Sequence, residues 1–518
     1  MNDENLKLKE MYISAVENQQ KGNSEIAENL YKKILEEIPN HINTRSNLGA
    51  LYAQTGKTEK AVELLQKVLK IEPNNINANG NLGIAFTQLI EYQKAIDCHK
   101  KVLQFDPNNA DAYNNLGINY KHSGESDLAK EYFNKATEIN PTHAAAYNNL
   151  GILLGELREY EKAIIALKKS LEISPNFFKA QANLSNIYLN QTTNIEKSIT
   201  ESYKAINLYN IVSKIYTQNV QLYRLKHDVG QTEYLKSKNY KINGLDEFYK
   251  IGKEILDRPE NKENNNNFNK KILLRDSETQ FLLPFYKTKY IYHVPELSNS
   301  LLNPDNDWKK IETEYLDSKN QIMHIDDFLS KEAIKELREF CLASKVWIHQ
   351  YDNKYLGAFA DSGFTSALHL HIGTELQKKL PKLFGKYNIG KFWGFKYDTT
   401  LGKGIGIHAD FAYLNLNFWI TPDEYNNNEK KGGLKVYDAP APEDWSFNKY
   451  NSDAKEIFKF LKEKNAKCKT TPYKFNRAVL FNSAYFHETD EIDFKDGYES
   501  RRINITYLFG TRRVKKKF

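Results

Sequence analysis

Two histidines and one aspartate in the carboxy-terminal part of the chain have the residue types and spacing of a metal site. His408 and Asp410 are two residues apart, between two strand-like stretches. In an extended backbone, residues i and i+2 point to the same side. His487, just after the apolar run 478–481, supplies a third ligand. Two imidazoles and one carboxylate on one divalent metal leave coordination positions open for reactants.

Two other histidine motifs compete with this assignment. His324 and Asp326 have the same spacing, but their segment runs directly into Ser330 and a helical pattern, which favours a capping role. His369 and His371 lie in a helical pattern, where residues two apart diverge by roughly 200°. We therefore expect neither motif to bind a metal.

The last predicted strand carries an arginine that needs an anion. Arg502 shares one strand face with Asn504 and Thr506, whereas Arg501 shares the other face with isoleucines. A buried arginine near a metal site requires a negatively charged partner, and a dicarboxylate provides one through paired charge-assisted hydrogen bonds. We predict that Arg502 is this residue, although the strand register leaves Arg501 as the alternative.

The ordered set of these residues resembles the Fe(II)/2-oxoglutarate-dependent oxygenase superfamily over roughly residues 390–512. The motifs are His408-Ala409-Asp410, then His487, then Arg502-Ile503-Asn504. The resemblance implies an α+β double-stranded β-helix, also called a jelly-roll or cupin-like fold. It implies Fe(II), 2-oxoglutarate and O2 as cofactors, with ascorbate as a stimulating reductant. The implied reaction couples oxidative decarboxylation of 2-oxoglutarate to hydroxylation of a C–H bond.

The same resemblance suggests how 2-oxoglutarate is bound. Arg502 is expected to contact the distal carboxylate. Tyr397, on the strand before the metal ligands, is either a second donor to that carboxylate or a core residue. Asn504 stands where the family usually has serine, so its contact with 2-oxoglutarate stays open.

An insertion between Asp410 and His487 carries aromatic residues. Trp445 and Tyr450 precede a helical pattern near Ala454–Glu463. Insertions at this place border the active-site mouth in the superfamily that the sequence resembles. The two aromatic side chains therefore either form a lip for the substrate or anchor the insertion to the barrel.

A 34-residue period runs through residues 1 to about 210. Asn-Leu-Gly or Asn-Leu-Ser recurs at this step, and so do one proline and one alanine. The pattern predicts helix-turn-helix units that stack because each unit leaves an apolar face for its neighbour to cover. It closely resembles the tetratricopeptide repeat family, with about six units. We therefore predict a multidomain protein in which an all-α superhelix precedes the oxygenase domain.

One asparagine of each unit lies on the first helix, at Asn47, Asn81, Asn115, Asn149 and Asn183. Asparagine is a poor helix former, so its recurrence indicates a function. Its amide offers both a donor and an acceptor to a peptide backbone. By resemblance to the O-linked N-acetylglucosamine transferase array, we predict that this asparagine row binds a protein or peptide in the groove. The alternative is a structural or self-associating role.

Length and composition set the remaining expectations. The 518 residues suggest repeats over 1–210, a helical extension with an Asn/Lys-rich linker over 211–285, and an oxygenase domain over 286–518. The net charge of +7 gives no nucleic-acid signature. Three scattered cysteines indicate a reducing compartment. With an acidic start and no long apolar run, we expect a cytoplasmic protein without a membrane partner. The oligomeric state stays open.

These features together predict an Fe(II)- and 2-oxoglutarate-dependent dioxygenase that hydroxylates a C–H bond of a protein or peptide recruited by the repeats. One alternative is a small-molecule or saccharide hydroxylase whose repeats serve only as a protein-interaction module. Another is a scaffold with an inactive oxygenase domain, against which the complete ligand set argues.

Overall fold

The computed structural model describes most of the chain in two compact units. It covers residues 3–190, 195–212, 219–262, 270–275, 277–279, 281–282, 289–351, 355–397, 404–410, 412–445 and 447–510. The units comprise Met1–Pro175 and Asn176–Phe518. The division thus falls before residue 210, and the sixth helix pair groups with the second unit. The centre of the predicted Asn-rich linker, 263–269, lies outside the described residues.

The first unit consists of antiparallel helix pairs that follow the 34-residue period. They are α1 (Asp3–Gln20), α2 (Ser24–Glu37), α3 (Ile42–Gln54), α4 (Thr58–Ile71), α5 (Ile76–Gln88), α6 (Tyr92–Phe105), α7 (Ala110–His122), α8 (Ser126–Ile139), α9 (Ala144–Glu156) and α10 (Tyr160–Ile173). Four first helices begin after a side chain that accepts from the backbone N–H three residues on, namely His41, Asn75, Asn109 and His143. This capping satisfies an otherwise unpaired donor at each helix start.

Glycine at the repeat signature lets the two helices of a pair approach closely. A Cβ added at Gly83 would lie 2.6 Å from the His99 ring, and one added at Gly117 would lie 2.6 Å from Phe133. Gly49 and Gly151 face Leu65 and Leu167 in the same way. The glycine therefore packs against a large side chain one turn beyond the repeated alanine, rather than against the alanine itself.

The second unit begins with helices and continues into the β structure. Its helices are α11 (Phe178–Asn190), α12 (Ile195–Val212), α13 (Leu222–Ser237), α14 (Leu245–Leu256), α15 (Pro259–Lys262), α16 (Trp308–Asp317), α17 (Lys331–Ala343), α18 (Ala367–Lys379), α19 (Pro381–Phe384), α20 (Phe447–Ser452) and α21 (Ala454–Glu463). The helical pattern around His369 and His371 is confined to α18, because Gly363 before it adopts a left-handed conformation at φ 100° and Pro381 starts a new helix. Among the described helices, none is both long and apolar enough to cross a bilayer.

Twelve strands form three sheets within the described residues. They are β1 (Asn219–Gln221), β2 (Lys271–Leu273), β3 (Ile322–Ile325), β4 (His349–Tyr351), β5 (Tyr355–Phe359), β6 (Ile389–Tyr397), β7 (Leu414–Trp419), β8 (Leu434–Pro440), β9 (Cys468–Thr471), β10 (Ala478–Asn482), β11 (Tyr485–Thr489) and β12 (Ile503–Phe509). The largest sheet is antiparallel in the order β3-β10-β7-β12-β6-β5-β4. A smaller antiparallel sheet has the order β11-β8-β9, and β1 pairs with β2.

The large sheet separates two apolar layers. On one face, Ile503 and Ile505 of β12 pack with Leu337 and Phe340 of α17 in the main core. On the other face, Trp419 of β7 packs with residues of the small sheet and with Tyr397. Because side chains alternate along a strand, strands β3, β5, β6, β7 and β10 contribute to both layers. The second layer, between the two sheets, is where the candidate site lies.

Candidate metal centre

The three predicted metal ligands come together between the two sheets. His408 precedes β7, and His487 lies on β11. Two backbone hydrogen bonds join them, since His408 N donates to His487 O at 3.0 Å and His487 N donates to His408 O at 2.8 Å. Asp410 N donates to Ser483 O at 3.1 Å. Backbone pairing therefore positions all three residues.

Both imidazoles present the same nitrogen to the centre of the site. Nδ1 of His408 lies 2.8 Å from Gly406 O, and Nδ1 of His487 lies 3.0 Å from Tyr485 O. A carbonyl can only accept, so each Nδ1 carries the proton and each Nε2 keeps a free lone pair. One ligand atom from each of the three residues lies within 4.8 Å of the others. The three residues thus fit a divalent metal. Each histidine also donates its other ring N–H to a backbone carbonyl, as metal-binding histidines usually do.

Asp410 is placed to remain ionised. Its Oδ2 lies 3.4 Å from His487 Nε2 and accepts a hydrogen bond from Asn415 Nδ2 at 2.7 Å. Burial alone would raise the pKa of this carboxyl, but His487, His408 and Asn415 together lower it below its ordinary value. Burial, and next His487, lower the pKa of His408 to about 4. A neutral imidazole beside a carboxylate is the state that binds a metal ion.

The competing histidine motifs have other partners. Asp326 forms ion pairs with Arg477 and with Lys474, the latter at 3.0 Å. Ser330, which follows, caps α17 by accepting from Ala333 N. His369 is buried, with its Nδ1 2.7 Å from Ser366 Oγ. In the described chain, the only cluster of three potential ligands is the one at His408.

A cavity extends from the three ligands along the inner face of the large sheet. Arg502, Asn504 and Thr506 of the β12 region line it, as do Tyr397 and the ligand Asp410. Side chains of the small sheet close the opposite wall, among them those of β8 and β11. The cavity therefore connects the metal ligands with the predicted anion-binding arginine.

Arg502 is buried, with 1% of its surface exposed. Its guanidinium donates to the carbonyl of Gly432 at 2.6 Å, to that of Gly433 at 3.3 Å and to Asn504 Oδ1 at 3.3 Å. No carboxylate lies within 4.0 Å of it among the described residues. Burial lowers its pKa, although an arginine stays charged at neutral pH. Asp490, which pairs with Lys435, acts on Arg502 only at longer range. A buried cation whose direct acceptors are neutral is suited to an added anion.

Two further buried donors lie near this guanidinium, and one of them, Tyr397, lines the cavity. Its centre lies 4.9 Å from the Tyr397 ring and 5.7 Å from the Trp419 ring. The Tyr397 hydroxyl and Trp419 Nε1 have no hydrogen-bond partner among the described residues. Burial raises the pKa of Tyr397, so its hydroxyl stays protonated and can donate. The Arg502 guanidinium and the Tyr397 hydroxyl, which both line the cavity, suit a carboxylate.

The insertion residues lie outside this cavity wall. Tyr450 is buried in an apolar cluster with Ile407, and its carbonyl accepts from Ala409 N at 3.1 Å. The Trp445 ring packs 5.3 Å from Phe460 and 6.0 Å from Phe486. These contacts correspond to the anchoring alternative, in which the insertion supports the loop that carries the metal ligands.

The asparagine row is half-buried on the first helices of the repeats. Asn47 Nδ2 donates to the Tyr12 hydroxyl at 2.9 Å, and Asn149 Nδ2 donates to Asn114 Oδ1 at 2.9 Å. The amides of Asn81 and Asn115 have no hydrogen-bond partner in the described part of the chain. Asn183, in the second unit, has a partner of its own. The row thus combines amides with a structural bond and amides that remain available.

Sequence reasoning missed two asparagines that face this site. Asn415 bonds to Asp410, and Asn417 lines the cavity. The signal was present, because both interrupt the apolar strand Leu414–Trp419 at alternate positions. A strand buried on both faces is ordinarily apolar throughout, so a polar residue at every second position marks a face with a function.

The first unit is a tetratricopeptide repeat array, and family models match it directly. Three models described as tetratricopeptide or TPR repeats match residues 20–82, 85–124 and 108–176. Such arrays typically bind protein or peptide partners. No curated protein matches the sequence.

Several solved structures are similar to part of the chain. A crystal structure of MamA is 31% identical, covers 31% of this chain and 94% of its own, and has a TM-score of 0.28. PilF of Pseudomonas aeruginosa is 19% identical, with coverage of 39% and 91% and a TM-score of 0.35. YrrB, titled a TPR protein with an unusual peptide-binding site, is 23% identical, with coverage of 34% and 91% and a TM-score of 0.28.

Proposed function

We propose that the second unit is an Fe(II)- and 2-oxoglutarate-dependent dioxygenase that hydroxylates a C–H bond. One observation carries this proposal. A single cavity holds three converging metal ligands, His408, Asp410 and His487, and a buried cation, Arg502, that no carboxylate within 4.0 Å balances among the described residues. When bound, Fe(II) with 2-oxoglutarate and O2 supplies the oxidising chemistry.

The protein residues have distinct roles in this proposal. His408 Nε2, His487 Nε2 and one Asp410 oxygen would hold the metal, and Asn415 keeps the carboxylate oriented through its 2.7 Å hydrogen bond. Arg502, with the Tyr397 hydroxyl, would hold the distal carboxylate of 2-oxoglutarate. The aromatic and aliphatic wall excludes water from the reactants.

The fold of the second unit is compatible with this function. A large antiparallel sheet and a smaller one enclose the cavity, and helices cover the outer face of the large sheet. We propose that these two sheets form the double-stranded β-helix of the oxygenase superfamily. On this view, β6, β7, β10 and β12 form the wall that carries the anion site, and β8 and β11 form the opposite wall.

Metal binding and succinate formation test the proposal. The purified full-length protein should bind one Fe(II), or Mn(II) as an inert substitute, per chain and convert 2-oxoglutarate to succinate. His408→Ala or Asp410→Ala should abolish both, because either change removes a ligand. His324→Ala is the matched control, since it alters the same motif where no metal is expected. Normal succinate formation in the His408 and Asp410 variants would refute the assignment.

We further propose that the repeats recruit a protein or peptide substrate. The repeats are of a class that binds polypeptides, and Asn81 and Asn115 keep amides without a partner among the described residues. An amide side chain binds a peptide backbone through a donor and an acceptor at once. Mass spectrometry of cellular proteins, with and without the gene, should reveal polypeptides that gain one oxygen atom. If only small molecules are oxidised, the repeats have another role.

A further inference from the structure

A hydrogen-bonded row of side chains runs from Arg502 toward the metal ligands along the floor of the cavity. Arg502 Nη1 donates to Asn504 Oδ1 at 3.3 Å, and Asn504 Nδ2 donates to Thr506 Oγ1 at 3.5 Å. The amide of Asn417, on the neighbouring strand β7, lies 2.9 Å from Thr506 Oγ1. All four residues line the same cavity.

Asn417 lies midway between the two ends of the site. On β7, Trp419 adjoins the guanidinium of Arg502 at 5.7 Å, and Asn415 bonds to the metal ligand Asp410. Asn417 lies two residues from each, which is about 7 Å along a strand. A molecule that reaches from the arginine to the metal therefore passes over Asn417.

The amide oxygen Oδ1 of Asn417 has no hydrogen-bond partner in the described part of the chain. Asn417 is 7% exposed, its Nδ2 bonds to Thr506, and its Oδ1 is left buried and unpaired. A half-turn of the amide keeps the bond to Thr506, whose hydroxyl then donates to Oδ1. The –NH2 group then faces the cavity.

The row itself favours this second orientation. Arginine has only donors, so its bond fixes Asn504 with Oδ1 toward Arg502 and Nδ2 toward Thr506. Thr506 Oγ1 then accepts from Asn504, and its own hydrogen remains for Asn417. Each donor in the row thus points away from Arg502 and toward the metal end.

We propose that Asn417, oriented through Thr506, donates a hydrogen bond to the metal-side carboxylate of a 2-oxo acid. This rests on the proposed function, and it identifies a second carboxylate site distinct from the one at Arg502. The carboxylate beside the oxo group is common to every 2-oxo acid, whereas the distal carboxylate is specific to 2-oxoglutarate. Asn417 therefore contributes to the binding of the whole class, and Arg502 selects the dicarboxylate within it.

Binding to the Mn(II)-loaded full-length protein, measured by calorimetry, tests this division. The two probes are 2-oxoglutarate and 2-oxobutanoate, which lacks the distal carboxylate. Asn417→Asp keeps the shape but places an acceptor against the carboxylate, so both affinities should fall by the same factor, about 10- to 100-fold. Arg502→Met should lower the affinity for 2-oxoglutarate and leave that for 2-oxobutanoate unchanged.

Thr506 variants separate orientation from folding. Thr506→Val removes the hydroxyl at constant shape and should weaken the binding of both ligands, by less than Asn417→Asp does. Thr506→Ser keeps a hydroxyl and should bind both ligands as the wild type does. If Asn417→Asp fails to fold, the Thr506 pair decides the question. Unchanged affinities, or a loss confined to 2-oxoglutarate, would overturn the role of Asn417 and leave the oxygenase proposal intact. A wild-type protein that binds Mn(II) but neither acid would overturn both.

Discussion

Arg501 and Arg502 are consecutive and both buried, yet their side chains lie on opposite sides of the large sheet. Arg502 lines the cavity, whereas the Arg501 guanidinium lies 5.9 Å from the Tyr223 ring of α13, on the helical side. Arg501 also adjoins Lys396, whose pKa falls far below its ordinary value because of burial and then the charge of Arg501. Just before β12, alternation of the backbone therefore places the arginine that lines the cavity and the arginine beside Lys396 on opposite faces.

The first prediction follows from this separation. Arg502→Ala should raise the 2-oxoglutarate concentration needed for half-maximal succinate formation by roughly 30-fold or more, since a buried charge-assisted pair is worth about 2–5 kcal/mol. Arg501→Ala should lower thermal stability but leave that concentration unchanged. Steady-state kinetics with both variants would check this. A 2-oxoglutarate defect in the Arg501 variant instead would contradict the assigned strand face.

The second prediction concerns the residue behind the carboxylate ligand. Asn415→Ala removes the 2.7 Å hydrogen bond to Asp410 and should weaken metal binding by about 10- to 100-fold. Competition with a chelator of known affinity, monitored on the Mn(II) form, would measure the change. Asn482→Ala, at the end of β10, is a control of the same residue type. Equal effects of the two substitutions would indicate a general loss of packing.

The third prediction distinguishes the available amides of the asparagine row from the bonded ones. The double variant Asn81→Ala and Asn115→Ala should bind a polypeptide substrate about 5- to 150-fold more weakly. Each amide contributes about 0.5–1.5 kcal/mol to the binding free energy. Stability should not fall, since alanine is the better helix former. Succinate formation without that polypeptide should stay the same.

Asn47 provides the matched control for this prediction. It donates to Tyr12, so Asn47→Ala should reduce the thermal stability of the repeats. If the Asn81 and Asn115 double variant also melts early, the row is structural. If its affinity for every hydroxylated polypeptide is unchanged, the repeats recruit through another surface.

The fourth prediction concerns a buried histidine in the repeats. His99 occupies the place where the other pairs have Leu65, Phe133 and Leu167, and its Nε2 has no partner in the described chain. Burial lowers its pKa to about 4. An unfolded chain, with the ordinary value near 6.5, therefore binds more protons between these two pH values. Above about pH 6.5, His99 is neutral in both states and causes no loss of stability. The free energy of unfolding then decreases as the pH falls toward 4.

His99→Leu should therefore raise stability, and more at low pH than at neutral pH. The additional gain at pH 5 should be about 2 kcal/mol. Denaturant unfolding at pH 7 and pH 5 would measure it, and Leu167→His should produce the opposite change. A gain that is the same at both pH values would show that protonation of His99 does not contribute.

The repeats were predictable from the sequence because their signals are local and periodic. Gly83 and Pro73 recur at the 34-residue step, and helix pairs follow directly from it. The packing partner of the glycine was not predictable, because a one-turn shift along a helix changes the contact from Ala95 to His99 without altering the period. The compact-unit boundary also differs, since the sixth helix pair keeps the repeat spacing but groups with the second unit.

The site residues were predictable in type, and less so in their arrangement. The His-x-Asp spacing occurs twice, and the strand-like flanks favoured His408 and Asp410 over the other pair. Strand alternation favoured Arg502 over Arg501. The cross-strand contact between Asn417 and Thr506 joins residues 89 positions apart, and no local pattern encodes such a contact. The placement of Trp445 away from the cavity likewise depends on tertiary packing against Phe486, which composition does not reveal.

The paired backbone hydrogen bonds between His408 and His487 have a consequence for the purified protein. Because the backbone fixes the distance between the two imidazoles, the site should keep its geometry without a metal. A preassembled site of this kind accepts Zn(II), Ni(II) or Cu(II) as readily as iron, because affinity for imidazole and carboxylate rises along the series of divalent metals. For the proposed dioxygenase, a metal other than iron in this site would lower activity. The specific activity of a preparation would then depend on the fraction of protein that holds iron as well as on the fraction that is folded.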